Sequence, residues 1–149
     1  MKPSRRRTNT LGDGGRECDD VVLGNLLDLF DTFGGESGPG PNLARQMEAE
    51  GRSLEVIDLR SIVPLDEEMI YASVRKTNRV VVAHEDMLTM GFGAEVSARI
   101  TQNCFAFLDA PVMRVAAQDS FVPAAPNLEL AVLPSVQDLR AGVEQVLRF

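Results

Sequence analysis

The stretch LEVIDLRSIVPLDEEMIYASVRKTNRVVVAH, from Leu54 to His84, decides the fold class. Its first part, Leu54 to Leu59, is rich in residues that favour strands. Asp66 is a helix-capping residue type and predicts a helix that runs to about Lys76. Arg79 to His84 is apolar without alternation, as expected of a strand buried on both faces. The stretch therefore predicts strand, helix and strand, the repeating unit of a parallel sheet.

Helix and strand patterns also alternate along the rest of the chain after residue 42. Apolar residues recur every four positions from Phe92 to Cys104, which is the spacing of one helix face. Ser135 and Asp138 have the spacing of a capping box. The elements predicted outside the first stretch are a helix from Asn42 to Glu50, a loop from Glu85 to Gly91, a helix from Phe92 to about Phe107, a strand from Val112 to Ala116, a loop from Ala117 to Asn127 and a last helix after Ser135.

Such alternation predicts an α/β domain whose parallel sheet is covered by helices on both faces. Three strands are clear, and because a three-stranded sheet would be small we expect a fourth or fifth. Residues 1–41 are where a first strand belongs, yet they hold eight of the 12 glycines, and Val21 to Phe33 has the apolar spacing of a helix. Gly34 to Pro41 predicts a flexible break. We therefore divide the chain into a divergent, partly disordered N-terminal arm at 1–41 and a domain at 42–149.

Composition narrows the classes of function. The chain has 149 residues, which suits one domain, and a formal net charge of −7. An acidic chain is a poor match for nucleic acid or for an anionic membrane, and no apolar run reaches the roughly 18 residues of a spanning helix. One histidine and two cysteines are too few for a histidine cluster or a four-ligand zinc site. We therefore expect no nucleic acid, membrane or metal partner.

His84 and Glu85 stand where the second strand of the opening stretch is predicted to end. Loops at such ends of parallel sheets line ligand crevices, so His84 is a candidate acid, base or hydrogen-bond donor. The alternative is a structural histidine whose hydrogen bonds are satisfied. The sequence from Gly91 to Gly93 opens the next helix like the start of a dinucleotide fingerprint, but Val96 occupies the position of the third glycine. A tight turn that packs the helix closely is the favoured interpretation.

Three further features have structural explanations. Gly12 to Gly14, followed by Asn42, mimics the spacing of a thiamine diphosphate motif, but no buried strand precedes it. Glu67 and Glu68 lie in a predicted first helical turn, where the macrodipole favours acidic residues. Cys104 falls on an apolar helix face and is predicted to be a core residue rather than a nucleophile.

Five segments between Glu55 and Ser135 match one protein family in order. They are EVIDLRSIVPLDEEMI (Glu55 to Ile70), VRKTNRVVVAHED (Val74 to Asp86), TMGFGAEVSARI (Thr89 to Ile100), LDAPVMRV (Leu108 to Val115) and AVLPS (Ala131 to Ser135). The chain thereby resembles the C-terminal domain of the beta subunit of 2-oxoacid dehydrogenases, the pyruvate and 2-oxoisovalerate enzymes, from about Leu43 to Phe149. Met90 departs from the resemblance, since the family has two glycines before the Phe-Gly pair.

The resemblance implies a three-layer α/β/α domain of the transketolase C-terminal type. Residues 1–41 do not resemble the strand and half-helix that precede this region in the family, so we expect the usual first strand to be lacking and the N-terminus to be truncated or replaced. The family decarboxylates a 2-oxoacid oxidatively on thiamine diphosphate and transfers the acyl group to lipoyl. Its cofactor sits between two other domains, so this chain is expected to bind no cofactor alone and to be inactive by itself.

The resemblance also implies partners. The family's C-terminal domain builds subunit interfaces, including a homodimer contact, and helps to dock the dihydrolipoyl acyltransferase core, whose subunit-binding domain is usually basic. An acidic surface would suit that partner. His84 and Glu85 are the candidates for lining the active-site funnel. We expect a cytoplasmic protein, with the mitochondrial matrix as the eukaryotic alternative. The residues expected at interfaces are Glu85, Phe92, Gly93, Asp119, Phe121 and Phe149.

Two other functions stay open at this point. A free-standing acidic interaction module would bind a basic partner, and its binding would weaken steeply as salt rises. A small nucleotide-binding protein would instead use the backbone amides of Gly91 and Gly93 at the start of a helix.

Overall fold

The computed structural model of the chain describes residues 21–26 and 39–149. Strands and helices alternate through these ranges. The strands are β1 (Val21–Leu26), β2 (Leu54–Asp58), β3 (Val80–Met87) and β4 (Met113–Ala117), and the helices are α1 (Pro39–Ala49), α2 (Glu67–Thr77), α3 (Phe92–Cys104), α4 (Pro126–Val132) and α5 (Val136–Leu147), with a 3-10 turn at Phe105–Phe107 after α3.

The four described strands form one parallel sheet in the order β2-β1-β3-β4. β1 is central, because Val22 is level with Glu55 of β2 on one side and with Val80 of β3 on the other. The predicted α/β class with a parallel sheet is confirmed. β1 is the fourth strand that the small size of a three-stranded sheet required.

The N-terminal part of the chain corrects one expectation. Val21–Leu26 is a strand and not the start of the helix predicted over Val21 to Phe33, so the expected gap at the first strand is filled. Gly24 and Asn25 are poor strand formers, which hid the strand in the sequence. Pairing with two neighbouring strands overrides that local preference. Residues 1–20 and 27–38, with the rest of the predicted arm and the Gly12 to Gly14 motif, lie outside the described part.

Two apolar clusters hold helices on the two faces of the sheet. α1 and α5 cover one face, and α2 and α3 cover the other. Successive side chains of β3 point to opposite faces, so Val81 and Ala83 join the first cluster while Val80 and Val82 join the second. All four are at most 1% exposed. This double coverage is the three-layer arrangement expected from the resemblance.

Several element ends follow predicted signals. Asp66 caps α2 by accepting a hydrogen bond from the Met69 amide at 3.0 Å, and Ser135 with Asp138 forms the predicted capping box. Glu67 and Glu68 lie in the first turn of α2, and Cys104 is fully buried in the core. These residues therefore have the structural roles that were predicted for them.

Other element ends differ from the prediction. β3 continues to Met87, so Glu85 and Asp86 belong to the strand and not to a loop. α1 begins at Pro39, inside the predicted flexible break. α4 was missed because it has only seven residues, too few to show a helical repeat, and none of them is buried. Its one sequence signal is Pro126, since proline favours the first helical turn.

Candidate functional site

The carboxyl ends of β1 and β3 lie at the point where the order of the strands in the sheet reverses. From β1 the chain first adds β2 on one side, and later adds β3 on the other. Open α/β sheets bind ligands at such points. His84 pairs in register with Leu26, the last residue of β1, and with Ala116 of β4. The sequence therefore located the relevant edge of the sheet, although His84 lies inside β3 rather than at its end.

The His84 ring is packed against the start of α3. It is 1% exposed. A Cβ atom on Gly93 would lie 2.2 Å from both Cδ2 and Nε2 of the ring, and one on Gly91 would lie 2.9 Å from Cε1. Any side chain at either position would clash. The ring accounts for Gly93, whereas at Gly91 the Met87 carbonyl oxygen would lie even closer to a Cβ than the ring does. Both close approaches support the tight-turn interpretation over a dinucleotide fingerprint.

The surroundings of His84 favour a neutral ring. Among the described residues, neither Nδ1 nor Nε2 has a hydrogen-bond partner. Burial lowers the pKa of His84; the carboxylate and the backbone of Asp86 oppose this shift, and the Arg114 guanidinium reinforces it. The histidine is thus buried, as the structural interpretation expects, but its hydrogen bonds are not satisfied there. A buried neutral ring reaches no external substrate while the start of α3 covers it.

Two segments beyond this ring are tied to each other. Residues 88–91 join β3 to α3, and residues 118–125 join β4 to α4. The Thr89 amide and hydroxyl both donate to the Asp119 carboxylate, at 2.8 and 2.6 Å. These hydrogen bonds lower the pKa of Asp119. The carboxylate therefore fixes the position of one segment relative to the other.

Leu88 adds two backbone ties to β4. Its amide donates to the Ala117 carbonyl at 3.0 Å, and its carbonyl accepts from the Arg114 guanidinium at 2.6 Å. The pairing of β3 with β4 shifts register between His84 and Met87. Such irregularities are common beside functional sites and redirect side chains.

The tied segments expose large apolar side chains. Met90 is 93% exposed and Phe121 is 97% exposed. Met90 also has a positive φ of 64°, a left-handed conformation that glycine tolerates better than methionine. We call the exposed apolar residues of β3 and these two segments the apolar rim, and its members are Met87, Leu88, Met90, Phe121 and Val122.

The structure brings together only some of the residues predicted at interfaces. Asp119 and Phe121 lie on the segment that is hydrogen-bonded to Thr89, and Gly93 packs against His84 at the start of α3. Glu85 is half-buried on β3, and Phe92 packs against the α2–α3 core. Phe149, 67% exposed, follows the end of α5 and belongs to neither segment.

Four members of the apolar rim were not named as interface candidates in the sequence analysis. Met87, Leu88 and Met90 fall in what was predicted to be a loop, and Val122 falls in a second one. Apolar side chains in loops are a usable signal, because an exposed apolar patch marks an interaction surface. Met90, which stands where the family has a glycine, was a second sign of this surface.

Two features raised by the sequence, the metal-ligating residue types and Asn42 of the thiamine diphosphate-like spacing, can be located in the described ranges. No group of three histidine, cysteine, aspartate or glutamate side chains in the described ranges is arranged to hold a metal ion. Asn42 is exposed on α1, where its side-chain oxygen accepts from Gln46 at 3.2 Å. In the same ranges, no helix has the length and apolar character needed to cross a membrane.

Comparisons with known proteins agree with this fold. The profile of the family described as Transketolase, C-terminal domain, matches residues 32–139. A solved structure described as a split gene transketolase, inactive beta4 tetramer, superposes with a TM-score of 0.69 at 27% identity. It covers 89% of this chain, and this chain covers 40% of it.

Curated relatives place the chain more finely. It is 44% identical over 108 residues to the mitochondrial pyruvate dehydrogenase E1 component subunit beta-1 of Arabidopsis thaliana, which is 72% of this chain and 30% of the relative. It is 49% identical over 76 residues to the mitochondrial 2-oxoisovalerate dehydrogenase subunit beta 2 of the same plant, which is 51% of this chain and 21% of the relative. The chain thus spans less than a third of either relative. Its matched region and its three-layer α/β/α arrangement show that it belongs to the transketolase C-terminal domain family, on the branch of the 2-oxoacid dehydrogenase beta subunits.

Proposed function

We propose that this chain is an assembly domain of a 2-oxoacid dehydrogenase beta subunit and that its apolar rim contacts a second copy of the chain. Met90 is the observation that carries the proposal. A left-handed conformation costs a non-glycine residue about 1–2 kcal/mol. A side chain that is 93% exposed gains almost no burial energy in return within the isolated domain. Contact with a second copy would bury it and offset the cost.

The geometry of the two connecting segments also supports a role of the apolar rim in self-association. Thr89 and Asp119 hold its two segments in one arrangement before any partner arrives, which reduces the entropy lost on binding. Complete burial of a side chain such as phenylalanine or methionine contributes about 1.5–3 kcal/mol. Each buried rim side chain would therefore tighten association by about 10- to 150-fold.

Sedimentation of the full chain over a range of concentrations tests this role. Met90→Asp and Phe121→Asp are expected to weaken self-association at least about tenfold, because each places a charge in a desolvated contact. Val63→Asp and Phe105→Asp are matched controls, since these residues are 88% and 74% exposed outside the rim. A wild-type chain that stays monomeric, or controls as damaging as the rim variants, would reject the proposal.

We propose that the complete enzyme decarboxylates a 2-oxoacid oxidatively on thiamine diphosphate and passes the acyl group to lipoyl, in the cytoplasm or in the mitochondrial matrix. This chain is then expected to be inactive alone, because the resemblance places the cofactor between two other domains. Turnover of pyruvate or 2-oxoisovalerate by the purified chain with added thiamine diphosphate would contradict that part of the proposal.

The formal charge of −7 suits a basic partner. We propose the dihydrolipoyl acyltransferase core as that partner. A free-standing acidic interaction module is the second candidate function, and it rests on the same charge. In both cases binding should weaken steeply between low and physiological ionic strength. Binding of the acyltransferase core at physiological salt favours the first candidate, and salt-insensitive binding argues against both.

A further inference from the structure

His84 is a buried ionisable group that the assembly role leaves unused. Gly91 and Gly93 both lie against its ring, so the turn that carries Met90 rests directly on this side chain. Leu88 and Thr89 connect the same turn to β4 and to Asp119. A change in the ring is therefore transmitted to the apolar rim through backbone contacts.

Protonation of the His84 ring is unfavourable while the ring is buried. Within the described ranges, neither ring nitrogen has a hydrogen-bond partner. The groups that act on the ring are the carboxylate and the backbone of Asp86 on its own strand, which favour the cation, and Arg114 from β4, which opposes it. α3 presents its amino end, where the helix dipole is positive. The first-turn acid of α3, Glu95, is paired with Arg99.

Exposure of the ring to water relieves this conflict. If the segment from Gly91 to Gly93 lifts, the imidazole can be hydrated in its charged form. A group that is neutral when folded and charged when exposed binds more protons in the open state, so acid favours opening. The sign is fixed by the direction of the shift: the closed turn is fully stable above about pH 6.5 and loses stability as the pH falls below it.

We propose that His84 is a pH-sensitive latch, in which protonation of the ring releases the turn from Gly91 to Gly93 and withdraws Met90 from the contact surface. The histidine controls whether the rim is formed. Its effect on association rests on the assembly function proposed above, whereas release of the turn does not.

Hydrogen exchange of the full chain tests the latch, with each amide corrected for its intrinsic pH dependence. Between pH 7.5 and 5.5 the opening constant of residues 88–94 should rise about tenfold, because pH 5.5 lies one unit below the pKa of about 6.5 of an exposed histidine. Residues 139–146 of α5 should not respond. The rise should be absent in His84→Gln. An unchanged turn in the wild-type chain, or the same rise in the variant, would overturn the latch.

A second measurement needs no variant. His84 is the only histidine of the chain, so its ring resonance can be followed in the wild-type protein without ambiguity. The titration midpoint is expected below 6.5, and a midpoint at or above that value overturns the latch. Exchange measured at monomeric concentrations separates the two proposals: a pH-sensitive turn without self-association rejects the assembly role alone.

Discussion

Met90 combines a strained backbone with an exposed apolar side chain. Met90→Gly should relieve about 1–2 kcal/mol of left-handed strain. Glycine has more conformational freedom in the unfolded chain, which offsets about 0.5–1 kcal/mol of this gain. Urea unfolding of the monomer should therefore show a net gain of up to about 1.5 kcal/mol. Sedimentation of the same variant should show weaker self-association, because the contact side chain is gone.

Higher stability together with weaker self-association would identify Met90 as a contact residue. Ala98→Gly is the control, since it places glycine in an ordinary turn of α3 and should destabilise the domain by about 0.5–1 kcal/mol. A Met90→Gly chain that is more stable and associates normally would show that methionine at this position serves no contact. The sequence marked Met90 as a departure from its family, but its positive φ belongs to the turn between β3 and α3 and could not be predicted from one residue.

The capping box of α5 can be tested at the scale of an element. Ser135 accepts a hydrogen bond from the Asp138 amide at 3.2 Å, and the Ser135 amide donates to the Asp138 carboxylate at 2.8 Å. Ser135→Ala removes the first of these bonds and the bond that the Ser135 hydroxyl donates to the Asp138 carboxylate at 2.6 Å. It should lower the free energy of unfolding by about 1 kcal/mol. Ser53→Ala changes an exposed serine outside any helix and should alter it by less than about 0.5 kcal/mol. Equal effects in urea titrations would mean that the cap contributes nothing.

Acid should weaken the same cap. The hydrogen bonds from the Ser135 side chain and backbone lower the pKa of Asp138. A carboxyl with a lowered folded pKa stabilises the protein above its unfolded pKa, and this stability is lost as the pH falls through the folded pKa. The destabilisation caused by Asp138→Asn should therefore shrink below about pH 4. A pH-independent difference between the two proteins would assign the stabilisation to something other than the charged carboxylate.

Elements with local signals were predictable, and those without them were not. α2 and α5 have capping residues and apolar faces, so their sequences identify them. β3 has an apolar run that marks its first five residues, but its end at Met87 depends on pairing with Ala117 of β4. β1 depends on partners on both sides, since Gly24 and Asn25 weaken its own preference for a strand. Of the site, the sequence identified His84 and the glycine pair; the ties between Thr89 and Asp119 arise only when β3 and β4 are neighbours.

The position of β1 can be tested at the scale of the whole molecule. β2 pairs only with β1 among the described strands, so β1 connects it to the rest of the sheet. Leu23→Pro removes a ladder hydrogen bond within a central strand and should abolish cooperative unfolding. Leu23→Val keeps the amide and favours a strand, so it should fold and unfold cooperatively. A Leu23→Pro chain with wild-type unfolding would place β1 outside the stable sheet.

The central position of β1 also affects how the chain folds during synthesis. β1 is the first described strand to be made, but Val22 is level with Val80, which is made 58 residues later. At 5–20 residues per second this gap lasts about 3–12 s. During that time the strand at the centre of the sheet lacks one of its two neighbours. Such long-range parallel pairing folds slowly and leaves strand edges open to aggregation, so the nascent chain is expected to depend on chaperones more than its length alone suggests.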